Sequence, residues 1–161
     1  MRKFIVLIFL VLCGQVLAES ALEQLIKQSP ELKFHPVEAD PKILKNIKLA
    51  RTQALEKAAL GDSQQMYNLY SLYKTGLIYA ERDYKFSGMW LKMAAEYENR
   101  DALVTIGKAY RKGNATLGIP QSKKLALESF AKAKKMGSSE AAFYYEDIEV
   151  CGLSGRDGPD C

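Results

Sequence analysis

Met66-Tyr67-Asn68-Leu69-Tyr70-Ser71-Leu72-Tyr73-Lys74-Thr75-Gly76 returns, altered, as Ala102-Leu103-Val104-Thr105-Ile106-Gly107-Lys108-Ala109-Tyr110-Arg111-Lys112-Gly113. In both stretches a Tyr precedes a Gly by three residues, and Tyr73 to Tyr110 is a shift of 37. Each is followed by a second helical phrase, Trp90-Leu91-Lys92-Met93-Ala94-Ala95-Glu96 and then Phe130-Ala131-Lys132-Ala133-Lys134-Lys135-Met136-Gly137. A period in the high thirties with two helices per period signals an α-solenoid. One such unit cannot bury its apolar face alone, so units stack, and the stack offers an extended surface to other proteins.

Outward from the repeat, start and stop signals mark the remaining helices. Asp40-Pro41 opens a helix with Ile43, Leu44, Ile47, Ala50, Ala54, Leu55 and Ala58 close to a stripe, and Gly61 ends it. Asp62-Ser63 caps the next, which runs to about Lys74 and closes at Gly76. Arg82-Asp83 starts its partner, ending near Tyr97. Asn99 or Asp101 caps a helix ending at Gly113, and Ser122 or Gln121 opens one that stops at Gly137. Ser138-Ser139 caps the last, which carries Ala141, Ala142, Tyr145 and Ile148. Before all these, Ser20 to Ser29 reads as a short helix with Leu22, Leu25 and Ile26 on one face, stopped by Pro30, and Phe34 to Ala39 reads as irregular. The second pair reads as three residues longer than the first, with the insertion in the loop Asn114 to Gly118, where length costs little. The expected fold is all-α, a short solenoid of about seven antiparallel helices.

The phrases resemble the Sel-one-like repeat family, a relative of the tetratricopeptide repeat. Its first helix reads roughly A-x-x-x-L-G-x-x-Y-x-x-G, matched by Ala102, Ile106, Gly107, Tyr110 and Gly113. In the other copy Leu69, Tyr73 and Gly76 match, but Tyr70 stands where Gly is usual. The family's loop and second helix are followed by Gly118, Ile119, Ser122, Leu125, Ala126, Lys132, Ala133 and Gly137, and by Asp83, Trp90, Ala94 and Ala95. Ala58-Ala59-Leu60-Gly61 looks like the end of an incomplete earlier unit. The resemblance covers about residues 54 to 150 and implies a fold, while leaving the function open.

Large aromatics at repeat positions pack between helices, so Tyr73, Tyr110, Trp90 and Phe130 are expected in the core. By the family's geometry the first helix of each pair lines a concave face. Its outward positions are Gln64, Tyr67, Ser71 and Lys74 in the first copy, Asp101, Val104, Lys108 and Arg111 in the second, and Glu140, Phe143 and Asp147 on the last helix. A groove lined by Tyr67 and Phe143, with Lys74, Lys108 and Arg111 alongside, suits an acidic, partly apolar protein surface.

The ends of the chain bear on location. Met1-Arg2-Lys3 precedes the apolar run Phe4 to Leu12, and Val16-Leu17-Ala18 supplies a cleavage pattern, so residues 1–18 read as a secretory signal cut before Glu19. The run is short of the roughly 20 apolar residues that span a bilayer, so no stable membrane insertion is expected after cleavage. Lipidation at Cys13 is the alternative, disfavoured by Leu12 before it. Losing Arg2 and Lys3, and no acid, takes the formal charge from +4 to +2, far from the concentrated basic face of a nucleic-acid binder. Cys151 and Cys161 then remain, bracketing three glycines and a proline, which in an oxidising compartment reads as a disulfide. The segments are thus residues 1–18 (signal), 19–40 (N-terminal segment), 41–150 (repeats) and 151–161 (closed tail).

Enzymatic signals are missing. His35 is the sole histidine, between Phe34 and Pro36, and there is no phosphate loop, nucleophile elbow or H-E-x-x-H. Cysteine-rich members of the family have been linked to penicillin binding or hydrolysis, but they pair cysteines in every repeat, and this chain has one pair at its end. No catalytic residue, metal site or cofactor is expected. The reading that results is a periplasmic protein-binding module, in its sharpest form an immunity protein that neutralises a toxic effector enzyme. Alternatives are a scaffold or regulatory subunit of an envelope complex, and a secreted factor acting on a host protein.

Overall fold

Five short polar residues set the frame. Asp62, Asp83, Asn99, Ser122 and Ser138 each accept a backbone N–H from the first turn of the helix they precede, and each of those helices is 13 residues long. A cap of this kind stabilises its helix by about 1 kcal/mol, because it satisfies a donor the helix leaves unpaired. In the computed structural model of the chain, residues 21–34, 40–76 and 80–154 are described. The signal segment 1–18 with Cys13, together with His35 and Cys161, lies outside them.

The chain divides into two compact units, Met1–Glu31 and Leu32–Cys161. In the first, α1 (residues 21–28) buries Leu22 and Leu25, and the Ser29 hydroxyl donates to the Leu25 carbonyl at 2.8 Å just before Pro30. In the second, α2 (Pro41–Ala59) is capped by Asp40 with Pro41 at its first position. It is followed by α3 (Ser63–Thr75), α4 (Tyr84–Glu96), α5 (Arg100–Lys112), the 3₁₀ turn Ala115–Leu117, α6 (Lys123–Lys135) and α7 (Ser139–Cys151). The fold is all-α, with no strand among the described residues. Two isolated bridges, Phe34 to Ala80 and Asn114 to Ile119, pin the loops.

Each of these helices packs on the next along the chain. Trp90, Tyr73, Phe130, Met66, Leu69 and Leu91 are the largest fully buried side chains. Burying such groups is the main favourable term, since truncating a core Phe or Trp costs about 3–5 kcal/mol. Tyr110 departs from the expected core role: it is half-buried. Its counterpart Tyr73 lies against Phe86, ring centroids 6.1 Å apart, and takes the Arg51 Nε–H on its hydroxyl at 3.1 Å, whereas the Tyr110 phenol has its pKa raised by partial burial and then by the Glu96 carboxylate.

Close approach between helices relies on glycine. A Cβ on Gly107 would lie 2.8 Å from the Phe130 ring, so this face of α5 is shaped to that ring. A Cβ on Gly88 would lie 2.1 Å from the Leu117 carbonyl oxygen, which places the 3₁₀ turn against α4. The caps also measure the repeat. Asp62 to Asn99 is a step of 37, while Asp83 to Ser122 is a step of 39. The second pair is therefore longer by two residues, not three. The extra length falls in the loop between Gly113 and Ser122, whose turn is tied by the Asn114 N–H to the Ile119 carbonyl at 2.7 Å.

Candidate functional site

The connections between helices alternate in length. Three residues join α2 to α3 (60–62), α4 to α5 (97–99) and α6 to α7 (136–138), whereas longer loops join α3 to α4 and α5 to α6. The helices α3, α5 and α7, which carry the expected binding residues, are cross-linked by side chains. Tyr67 and Thr105 share a hydrogen bond at 3.0 Å, and Asn99 Nδ2 donates to Gln64 Oε1 at 3.2 Å, joining α3 to α5. Lys108 pairs with Glu140, and Arg111 Nη2 donates to Asp147 Oδ2 at 2.7 Å, joining α5 to α7.

These links change the reading of individual residues. Tyr67 is half-buried and stacks on Tyr70, centroids 5.3 Å apart. Lys74 is exposed but folds back, its Nζ donating to the Tyr70 hydroxyl at 2.9 Å. Val104, expected to point outward, is only 6% exposed. Val104 lies on α5, which has side-chain cross-links to both α3 and α7. Asp147, also expected outward, is 3% exposed. It is held there by Arg111, and burial of one charge is tolerable because the other accompanies it.

Lys108 and Arg111 both stand over the Tyr144 ring, at 5.2 and 5.4 Å from its centroid. The Lys108 pKa is raised, chiefly by its hydrogen bond to Glu140, with partial burial opposing. The expected groove is thus divided. Tyr67, Val104 and Glu140 line one depression, Arg111, Phe143 and Asp147 line another, and Lys108 borders both. Phe143 remains 47% exposed at its edge. Ser71 belongs to neither of these surfaces and lines the cleft described next.

That cleft, between α2 and α3, was not anticipated. It has a volume near 530 Å³, with Ile43, Ile47, Ala50, Leu69 and Leu72 as its apolar lining and the amides of Gln65 and Asn68 at hand. Arg51, buried and bonded to Tyr73, helps to line it. The signal was present in the stripe Ile43-Ile47-Ala50-Ala54. The stripe reads as core, but Ile43 is 40% exposed and Ala50 is exposed as well. Among the described residues no group of His, Cys, Asp or Glu is placed to hold a metal ion, and no helix is long and apolar enough to cross a membrane. No family model matches the chain, and no curated protein or solved structure matches it.

Proposed function

We propose that the chain is a protein-binding module built as a Sel-one-like α-solenoid of antiparallel helix pairs, exported to the periplasm, that performs no chemistry of its own. Support for the repeat comes from the recurring side-chain caps, the equal helix lengths and the alternating connections. The observation that carries the binding role is the α2–α3 cleft, because an open depression with apolar walls and neutral amides fits a partner's apolar side chains and main-chain groups. The basic groove drawn from sequence is the weaker site, since Lys108 and Arg111 are already paired with carboxylates of α7. The narrower form of the proposal is an immunity protein that neutralises a toxic effector enzyme. It rests on expected export and the binding fold. A closed tail belongs to the same proposal: Cys151 is buried at the end of α7, and Cys161 is its expected disulfide partner.

Affinity purification of the tagged protein from its own cells, followed by mass spectrometry, tests the function. One stoichiometric hydrolase, lost when Leu72→Asp blocks the cleft while helicity is retained, is the expected result. A set of envelope components retained by Leu72→Asp would move the reading to a scaffold and away from the cleft. The tail is tested by alkylation: reduction should add two reactive thiols to the exported protein, and an unchanged count would remove the pairing.

A further inference from the structure

The formal charge of +4 conceals a division between two sets of helices. Helices α2, α4 and α6 carry 12 basic residues against three acidic ones, Glu56, Glu96 and Glu128. Helices α3, α5 and α7 carry five of each.

Contacts gather the basic set on one side. The Tyr73 hydroxyl of α3 accepts the Arg51 Nε–H of α2, and the Tyr73 ring lies against Phe86 of α4, so α2 and α4 share a side of α3. The loop before α6 closes on α4, where Lys92 Nζ donates to the Gly118 carbonyl at 3.1 Å, so α6 starts beside α4. The other three helices are tied to one another by their own side chains. This two-layer placement rests on the helix-pair reading of the proposed function, but not on the α2–α3 cleft.

The basic layer turns lysines and aliphatic groups outward. On α2, Lys42, Lys45 and Leu49 lie opposite the buried Arg51, Ala54 and Ala58. On α6, Lys124, Lys132 and Lys135 point away from the buried Ala126, Phe130 and Ala133. These five lysines are exposed, and none enters an ion pair among the described residues. Among the described residues, five of the seven exposed large apolar side chains belong to α2 and α6 or to their C-caps: Ile43, Leu49, Leu60, Leu125 and Met136.

We infer that this face docks on the surface of an anionic phospholipid bilayer. Each lysine ammonium meets lipid phosphate as a compact point charge, with its alkyl stem laid along the interface. The aliphatic groups between them enter the headgroup boundary, and several lysines together supply the attraction to a negative leaflet. Nucleic acid is the poorer fit among polyanions. Base edges are read best by the arginine fork, and this layer turns no arginine outward, since Arg51 is buried and α4 and α6 have none.

Flotation of the intact protein, purified from its own cells, tests the inference. The vesicles are phosphatidylcholine alone, or an equal mixture of phosphatidylcholine and phosphatidylglycerol. At low salt the protein should float with the mixed vesicles only, and binding should fall as salt screens the charges. Lys124→Glu with Lys135→Glu should weaken partitioning at least about tenfold, and so should Lys42→Glu with Lys45→Glu, because each lysine adds to the attraction. Arg100→Glu with Lys112→Glu makes the same change in net charge on α5 and should retain binding, with circular dichroism showing all three variants folded. No flotation, or equal flotation with both vesicle types, would overturn the inference. So would an equal loss in the α5 variant, a loss in only one of the other two, or retention on double-stranded DNA without flotation. The α6 variant leaves the α2–α3 cleft intact, so partner capture through the cleft stands or falls separately.

Discussion

The α3–α4 and α5–α6 pairs place their bulk on opposite helices. Thirty-seven residues apart, α3 carries Tyr70 where α5 carries Gly107; thirty-nine apart, α4 carries Leu91 where α6 carries Phe130. Tyr70 is buried against Tyr67, and its carbonyl accepts the Ser87 hydroxyl at 3.1 Å. Gly107 instead yields its surface to the Phe130 ring, which stacks on Tyr144 with centroids 5.2 Å apart. What recurs is the filled volume of an interface and not the residue at a position, as close packing requires. A repeat motif that fails at Tyr70 therefore marks a redistribution of volume within its pair.

The sharpest way to break this comparison is to empty the second pair. Phe130→Ala should lower unfolding free energy by about 3–5 kcal/mol, at or above the roughly 2–5 of Leu91→Ala in the first pair. Chemical denaturation of the two variants gives the ranking. A larger loss for Leu91→Ala would mean that the ring is not the centre of the α5–α6 interface.

A smaller and more specific effect belongs to Gly107→Ala. Alanine is favoured over glycine inside a helix by about 1 kcal/mol, but overpacking a core costs about 1–3. With the new Cβ 2.8 Å from an aromatic ring, the clash outweighs propensity, and a net loss of about 1 kcal/mol is expected. Combined with Phe130→Leu the loss should shrink or reverse. Simple addition of the two effects in that double-mutant cycle would show that Gly107 and Phe130 are not coupled.

The caps separate the copies more gently. Asp62 accepts from the Gln64 and Gln65 N–H groups at the surface, while Asn99 is buried, accepts from Ala102 N–H at 2.9 Å and also donates to Gln64. Alanine at either should cost about 1 kcal/mol, with Asn99 the dearer because a second hydrogen bond goes with it. Equal thermal midpoints for the two variants would count against the buried link.

The starts of helices α2 to α7 were legible in the sequence to within a residue or two, because Asp, Asn, Ser and Gly punctuate helices by local chemistry, while the choice of Asn99 over Asp101 and of Ser122 over Gln121 came from the structure. The surface was less legible. Val104 and Asp147 sit at positions that local periodicity leaves outward, and only neighbouring helices bury them. The α2–α3 cleft escaped for the converse reason: its apolar stripe looks like core in a helix wheel, and nothing local says that part of it stays open. Periodicity reports one helix at a time, whereas a surface is a property of the row.

The least costly change concerns how the row is tied. The α3–α5 tie between Asn99 and Gln64 has no titrating group, but the α5–α7 tie between Lys108 and Glu140 does. The Lys108 pKa is raised in the folded state, first by its hydrogen bond to Glu140. A raised pKa means that the folded chain holds this proton more tightly than the unfolded chain. The contribution is therefore complete below the unfolded lysine value of about 10.4 and fades as pH rises through the folded value. Both partners are largely solvated, so the effect stays below about 1 kcal/mol. Comparing the denaturant midpoint of the parent protein with that of Lys108→Met isolates it, since Tyr110 and every other titrating group is common to both. The gap should be widest near about pH 8 and close as the pH rises beyond the unfolded lysine value of about 10.4. A gap that stays constant across that range would assign Lys108 to packing on Tyr144, and the α5–α7 tie would then rest on Arg111 and Asp147 alone.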